Sequence, residues 1–303
     1  MDSPNRAGSP WRITASAAAI LLLAAAIGRA DWEQVQPAAS PSARAGACMA
    51  FDPVGGGVLL FGGDDGRNFL GDTWKWDGTT WTRLTPADSP SRRGYAAMTL
   101  DHSTGRLLLF GGRTGFRSGE RDHLGDTWQW SGSTWVRLFP ASSPSPRYST
   151  AMASDPRRRR TVLLGGMYWP PWTSQATPLN DTWEWNGSDW AQIAVPDPKP
   201  TPRYGHALAY DPFRFRVVSM SGDALGDDFW NWDGVRWRSD SYVSGGPDVS
   251  PNARMGPGWV YDSNRGGLLL FGGLSISGAQ PPYFFVSALQ QAKDTVMERK
   301  YGA

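Results

Sequence analysis

Short apolar stretches separated by turn residues recur along the chain in the same order five times. In each copy an arginine is followed eight residues later by an aspartate, and then by an aliphatic run and a glycine pair or its remnant. The pairs are Arg44 and Asp52, Arg93 and Asp101, Arg147 and Asp155, Arg203 and Asp211, and Arg254 and Asp262, so the unit recurs after 49, 54, 56 and 51 residues. A repeat of this length is typical of a propeller blade.

The second unit predicts four strands. Tyr95–Thr99 consists of small and apolar residues that favour an inner strand, and Arg106–Phe110 is an aliphatic run that suits a strand buried on both faces. Asp126–Trp130 alternates tryptophan with polar residues, which is the period-two pattern of a strand. After a tight turn, Trp135–Leu138 gives the fourth strand.

The turn between the third and fourth predicted strands is the most regular part of the unit. In each complete copy a glycine lies between two tryptophans, and Asp-Gly and Asn-Gly are strong hairpin signals because glycine readily takes the left-handed conformation. Large aromatic side chains dominate apolar burial. We therefore interpret Trp74, Trp76, Trp81 and their equivalents as core residues that pack between blades.

These features resemble the kelch family. The resemblance covers residues 32–271 and implies an all-β, kelch-like β-propeller of four-stranded blades across residues 31–287. Kelch-like propellers include protein-binding modules, sugar-handling periplasmic proteins and oxidases that resemble galactose oxidase, so the fold alone does not give the activity. The resemblance rests on the downstream tryptophans and on Gly62-Gly63, Gly111-Gly112, Gly165-Gly166 and Gly272-Gly273, with Ser221-Gly222 as a weakened copy.

The two ends of the repeat region predict how the ring closes. Trp32–Pro37 resembles a fourth strand without its three predecessors, and Tyr283–Val286 lies where the last unit needs a third strand. The N-terminal strand would complete this last blade and give five blades. Six or seven blades are more usual in the kelch family, so the alternative is a chain that holds only part of a propeller. Residues 288–303 form a tail whose composition favours a helix.

The first thirty residues have the pattern of an export signal. Arg6 and Arg12 precede an apolar run over residues 15–27, and Gly28-Arg29-Ala30 places small residues where a signal peptidase reads them. The apolar run is too short for a comfortable membrane span. We therefore expect residues 1–30 to be a cleaved signal peptide and the mature protein to be periplasmic or extracellular, without a stable membrane span. An uncleaved anchor is the alternative.

The charge of the chain bears on its partners. The net charge is +2, and residues 1–30 carry three arginines against one aspartate, which is also +2, so the remainder is near neutral. A nucleic-acid binder needs a concentrated basic face, which this composition does not offer. We expect no nucleic-acid partner and a monomeric protein. The run Arg157–Arg160 lies in a predicted turn and is interpreted as solvated.

Cysteine and histidine usage bear on catalysis. The single cysteine, Cys48, cannot form an internal disulfide, and it lies where the other units have alanine or glycine, so we interpret it as a buried structural thiol. His102, His123 and His206 have no metal-ligand spacing, and the ligand-bearing segments of galactose-oxidase-like enzymes have no visible counterpart. We therefore expect no metal, no cofactor and no enzyme activity.

The loops between the second and third strands vary in length, and recognition usually resides in such loops. The loop Met167–Pro178 contains Tyr168, Trp169 and Trp172, and its two tryptophans match no position of the repeat. Rigid exposed aromatics suit stacking on a sugar ring or anchoring a partner's side chains. The alternative is a local hydrophobic plug over the blade edge. The other candidates are Arg113 and Arg117, which lie in the corresponding loop of the preceding blade. We expect these two arginines to bind an anionic ligand.

The repeated arginines raise a choice between structure and binding. In kelch proteins that bind peptides, arginines near the start of inner strands can face the ligand. Because an arginine occurs in all five units here, we favour a structural role for Arg44, Arg93, Arg147, Arg203 and Arg254. The sequence thus predicts an exported, non-catalytic propeller that binds a protein or glycan on one face. The alternative is a periplasmic sugar-handling enzyme, an isomerase or a lyase.

Overall fold

Each sequence repeat folds into one antiparallel sheet whose strands follow each other in chain order. Within the described residues there are four four-stranded sheets, one three-stranded sheet and one two-stranded ladder. Successive inner strands lie side by side, which confirms the predicted all-β propeller of four-stranded blades. The structure is a computed structural model that describes residues 35–115, 122–170, 175–220, 222, 228–240, 254–262, 267–271, 274–275 and 285–286.

The first two blades follow the predicted strands closely. In blade 2 the second and fourth strands have the predicted bounds, whereas the inner strand begins two residues late, at Ala97. The reason is that Tyr95 has a left-handed φ of 58° and donates its N–H to Gly46 O of blade 1, at 2.7 Å. The strands are β1 (Cys48–Asp52), β2 (Gly57–Phe61), β3 (Thr73–Trp76) and β4 (Trp81–Leu84), then β5 (Ala97–Asp101), β6 (Arg106–Phe110), β7 (Thr127–Trp130) and β8 (Trp135–Leu138).

Blade 3 differs from the others in its longer central hairpin. Met167 and Tyr168 pair with Pro178 and Thr177, so these residues extend strands past a bulge at Gly166. The prediction that they lie in a loop was wrong, because this hairpin continues its ladder beyond the glycine pair. Blades 3 and 4 contain β9 (Ala151–Asp155), β10 (Arg160–Tyr168), β11 (Thr177–Trp185) and β12 (Trp190–Ile193), then β13 (Ala207–Asp211), β14 (Arg216–Met220), β15 (Phe229–Trp232) and β16 (Trp237–Asp240).

The fifth unit is described in part. Its sheet has the order β18-β19-β21, and β17 pairs with β20. The third strand predicted over Tyr283–Val286 agrees with β21. Residues 35–37 of the predicted N-terminal strand are irregular, and residues 32–34 lie outside the described part, as do the leader 1–30 and the tail 288–303. The strands are β17 (Arg254–Met255), β18 (Gly258–Asp262), β19 (Gly267–Phe271), β20 (Leu274–Ser275) and β21 (Phe285–Val286).

Four of the repeated arginines clamp their own blades. In blade 2, the Nη1 and Nη2 atoms of Arg93 lie 2.6 and 2.9 Å from the two carboxylate oxygens of Asp126, and Nη1 also donates to Gly111 O at 3.1 Å. Trp128 Nε1 donates to the same carboxylate at 2.6 Å. Burial raises the pKa of Asp126, but Arg93 and Trp128 lower it more, so the pKa lies below its ordinary value.

The same clamp recurs in the other complete blades. It confirms a structural role for these arginines, although the contacts lie within a blade and not between blades. The side chain of Arg254 lies outside the described part. The equivalent sets are Arg44 with Asp72 and Trp74, Arg147 with Asp181 and Trp183, and Arg203 with Asp228 and Trp230.

The tryptophans that flank each tight turn join a blade to the one before it. Trp130 and Trp135 are 2% and 1% exposed, and their rings lie in a cluster with residues of blade 1. The core of the protein therefore lies between blades. The indole N–H groups donate into the preceding blade in these pairs: Trp130 to Asp52, Trp135 to Thr73, Trp185 to Asp101, Trp190 to Thr127, Trp232 to Glu184 and Trp237 to Thr182.

One of these interblade hydrogen bonds has a different acceptor from its equivalents in the other blades, and the tryptophans of blade 1 make none to a described residue. Trp232 donates to Glu184 instead of Asp155, whose second carboxylate oxygen accepts from Arg158 at 2.8 Å. The interpretation of the tryptophans as interblade core is confirmed for blades 2 to 4. Trp76 and Trp81 are half-buried, and no described blade precedes blade 1, so for these two residues the interpretation stays a prediction.

Antiparallel strand order places alternate connections at opposite ends of a blade. One end carries the loops between second and third strands together with the starts of the inner strands; we call this side the loop face, and it includes Asp64, Arg113 and Met167. The opposite side carries the short turns, including Phe213 and Val235, and we call it the turn face.

A chain of backbone hydrogen bonds runs from blade to blade on the loop face. Each member after the first donates its N–H to the carbonyl of the member before it, over 2.7–2.8 Å. Each also has a left-handed φ, between 52° and 65°, which three glycines accommodate without strain. The bonds tie the starts of the inner strands together. The members are Gly46, Tyr95, Ser149, Gly205 and Gly256.

The chain divides into two units, Met1–Gln36 and Pro37–Ala303. Of the first unit, residues 35 and 36 are described, and they are irregular. All the strands belong to the second unit. Across the described ranges, no helix has the length and apolar character needed to cross a bilayer.

Cys48 lies in the interface between blades 1 and 2. Its side chain is buried, and Sγ is 3.5 Å from Phe61 O. Burial raises the pKa of the thiol to about 12, so the reactive thiolate is scarce at pH 8. We expect iodoacetamide to leave Cys48 unmodified in the folded protein and to modify it in urea, as measured by mass spectrometry. Rapid alkylation without urea would contradict the structural-thiol interpretation.

Candidate ligand-binding site on the loop face

The residue that follows the glycine pair differs from blade to blade. It is Asp64 in blade 1, Arg113 in blade 2 and Met167 in blade 3, and in each case its backbone pairs with the residue after the clamp arginine. The glycine pair makes room for this approach, since a Cβ on Gly112 would lie 2.9 Å from the carbonyl oxygen of Gly94. A regular scaffold thus presents one variable position in each blade.

In blade 2 this position lies beside a buried acid and an imidazole. Arg113 donates from Nε to Gly115 O at 2.6 Å, and its Nη2 lies 3.4 Å from Asp122 Oδ2. His123 Nδ1 lies 2.8 Å from Asp122 Oδ1, and both side chains are about 95% buried. Since a carboxylate oxygen accepts, the contact places the proton of the imidazole on Nδ1. Among the described residues, Nε2 has no hydrogen-bond partner.

Tyr148 brings blade 3 into contact with this group. The guanidinium carbon of Arg113 lies 4.9 Å from the centroid of the Tyr148 ring. The His123 ring approaches the same phenol edge-on, with centroids 5.6 Å apart and an interplanar angle of 78°. Burial raises the pKa of Tyr148; Arg113 opposes this rise, and Asp122 adds to it. The phenol therefore remains protonated at neutral pH and can donate a hydrogen bond to a ligand.

Trp169 completes the group from the end of the long hairpin. Its indole meets the His123 ring edge-on, with centroids 6.5 Å apart, and part of its surface remains exposed. The two loops singled out in the sequence therefore meet through His123 and Tyr148. We call Arg113, Asp122, His123, Tyr148 and Trp169 the loop-face cluster.

The other predicted site residues do not join this cluster. Tyr168 is half-buried, and among the described residues it shares no hydrogen bond or aromatic ring contact with the cluster. Trp172 and Arg117 lie outside the described part of the chain.

Sequence reasoning missed three members of the cluster. From the sequence, His123 is considered only as a metal ligand, and neither Asp122 nor Tyr148 is named as a binding residue. The position after the clamp arginine holds Ala45, Gly94, Tyr148, Tyr204 and Met255 in the five units. Because blade 4 also has a tyrosine there, the repeat alone does not single out Tyr148.

A second group lies next to the cluster, in blades 1 and 2. The ring of Tyr95 lies over Gly46, where a Cβ would be 2.8 Å from Cε1. Burial raises the pKa of Tyr95 to about 12, with Asp64 adding to the rise and Arg113 opposing it. Tyr95 therefore connects the variable positions of blades 1 and 2, and the polar surface extends from Asp64 to Trp169.

Two further observations limit the chemistry. Within the described ranges, no three His, Cys, Asp or Glu side chains converge to hold a metal ion. A shallow groove of about 340 Å³ lies at the outer edge of blade 1, lined among others by Arg83 and Pro86, and none of its lining residues belongs to the loop-face cluster.

A regular propeller whose loops build one asymmetric surface is an architecture suited to recognition. The chain matches the family model of the KLHDC2/KLHL20/DRC7 Kelch-repeats domain over residues 20–217, which is more than half of its length. The chain therefore belongs to the kelch-repeat family, and the resemblance seen in the sequence is confirmed. A search of curated proteins found no match.

Proposed function

We propose that this protein is an exported, non-catalytic binding module that holds a protein or glycan ligand on the loop-face cluster. Kelch propellers generally serve as interaction modules, which supports a binding role. The observation that supports this site is the meeting of Trp169, Tyr148 and Arg113 from two blades. Export rests on the leader sequence of residues 1–30.

The cluster favours an uncharged or weakly charged ligand. The guanidinium of Arg113 is held by Gly115 O and Asp122, and is therefore not a mobile cation available to an anion. Its charge is offset by the neighbouring carboxyl group. The indole of Trp169 and the phenol of Tyr148 instead offer an apolar surface with a polar edge, which suits a sugar ring or an aromatic side chain.

A second candidate is a sugar-handling enzyme, an isomerase or a lyase. Asp122 orients His123 through Nδ1, and Nε2 has no partner within the described residues, which is an arrangement that a general base requires. Turnover of a bound sugar, detected by chromatography and lost in His123→Gln, would select this candidate over the binding module.

The binding proposal is tested with residues 31–303 immobilised on a surface. A phage-displayed random peptide library and an array of neutral oligosaccharides are the two probes. For the probe that binds best, Trp169→Ala should weaken binding by about thirtyfold or more, since central aromatic residues contribute about 2 kcal/mol or more to an interface. Isothermal titration calorimetry measures the two dissociation constants.

Phe213→Ala is the matched control, because Phe213 is an exposed aromatic residue on the turn face. Its binding should equal that of the wild type. Equal binding by Trp169→Ala and the wild type would place the ligand elsewhere. Equal losses in both variants would show that the effect comes from instability and not from the site.

A further inference from the structure

The first blade exposes a side that later blades cover. Met98, Met152 and Leu208 hold one repeat position on the inner strands and are 8%, 7% and 7% exposed. Met49 holds the same position in β1 and is 57% exposed, and Phe51, two residues along, is 58% exposed. Because residues two apart on a strand share a face, these two side chains form one apolar patch.

Two half-buried tryptophans lie on the same side of blade 1. Their equivalents in blade 2, Trp130 and Trp135, donate their indole protons into blade 1. Trp76 and Trp81 instead contact each other, with ring centroids 5.4 Å apart. Neither indole makes a hydrogen bond to another described residue. We call Met49, Phe51, Trp76 and Trp81 the first-blade flank.

The fifth unit presents the opposite half of this interface. Ala153 and Ala209 are 4% and 6% exposed, because the following blade covers them. Val260 holds the same repeat position in β18 and is 56% exposed. We call Val260 and the backbone of β18 around it the fifth-blade flank.

The chain of backbone hydrogen bonds on the loop face has a donor at one end and an acceptor at the other. The N–H of Gly46 is at one end and the carbonyl of Gly256 is at the other, and across the described ranges no hydrogen bond joins them. Within the described part of the chain, β1 and β18 do not pack side by side, whereas successive inner strands do. The free donor end lies beside the first-blade flank, and the free acceptor end lies beside the fifth-blade flank.

We propose that the first-blade flank binds the fifth-blade flank of a second copy of this chain, head to tail. The contact continues the interblade interface: Met49 and Phe51 cover Val260, and Gly46 N–H donates to Gly256 O. Such a contact is heterologous, so it closes into a ring or extends. It departs from the monomer expected from the sequence.

Sedimentation velocity of residues 31–303 over a series of concentrations tests this proposal. The wild type should shift from monomer to dimer or larger species as its concentration rises. Met49→Lys and Val260→Lys should each remain monomeric, with self-association weakened by at least about tenfold. An equimolar mixture of the two variants should form a dimer, because each retains the flank that the other has lost.

Controls keep the outcomes distinct. Val235→Lys alters an exposed turn-face residue, 67% exposed, and should associate like the wild type. All variants should retain a cooperative melting transition. A wild type that stays monomeric at every concentration overturns the proposal, as expected if another part of the chain covers the flank. Association that survives in either lysine variant, or a mixture that fails to dimerise, also overturns it.

Discussion

Arg93→Ala is expected to lower the free energy of unfolding by about 3–5 kcal/mol, which is the usual cost of removing one partner from a buried ion pair. The Arg93 side chain is 1% exposed and binds both oxygens of Asp126 and the carbonyl of Gly111. Without it, Asp126 keeps a largely buried charge whose remaining side-chain donor is the Trp128 indole. Urea unfolding followed by tryptophan fluorescence measures the change.

Arg238→Ala is the matched control for this prediction. Arg238 also contacts an aspartate, Asp233, at 3.3 Å, but its side chain is 53% exposed. Exposed pairs contribute about 0–1 kcal/mol, so this variant should unfold almost like the wild type. Similar losses in both arginine variants would contradict the view that burial makes the clamp structural.

Trp130→Ala is expected to cost about 3–5 kcal/mol, as is usual when a large aromatic residue is removed from a core. Trp130 is 2% exposed, packs edge-on against Trp135 at 5.3 Å and donates to Asp52 at 3.1 Å. Trp76→Ala changes the same repeat position in blade 1, where the indole is half-buried. It should cost less than half as much in dilute solution, as measured by urea unfolding.

The comparison of these two tryptophans also bears on the first-blade flank. If Trp76→Ala cost as much as Trp130→Ala in a monomeric sample, Trp76 would be buried within the monomer, and blade 1 would not end the described arc of blades. A cost that rises with protein concentration would instead agree with association between copies.

The strands were predictable because each hairpin is determined locally. In blade 2, the aliphatic run Arg106–Phe110 and the strand Trp135–Leu138 were predicted with their observed bounds. The start of the inner strand was not, because Tyr95 leaves the sheet to bond Gly46 in another repeat. Pattern within one unit carries no information about a bond between two units.

The same limit explains what was missed in the site. The loops of blades 2 and 3 stood out individually, since Arg113 and Trp169 break the repeat. Their meeting depends on His123 and Tyr148, which contact each other across two blades. The exposure of Met49 and Trp76 likewise depends on the place of blade 1 in the row of described blades. The same residue types are buried at those positions in blade 2, which has a described blade before it.

Hydrogen–deuterium exchange with the best-binding peptide or oligosaccharide probe tests the central claim most directly. If the loop-face cluster is the binding site, the probe should slow exchange in peptides that contain His123, Tyr148 and Trp169, and leave the turn-face peptides around Phe213 and Val235 unchanged. Protection confined to the turn face, or to the outer strands of the blades, would contradict the assignment of ligand binding to this cluster.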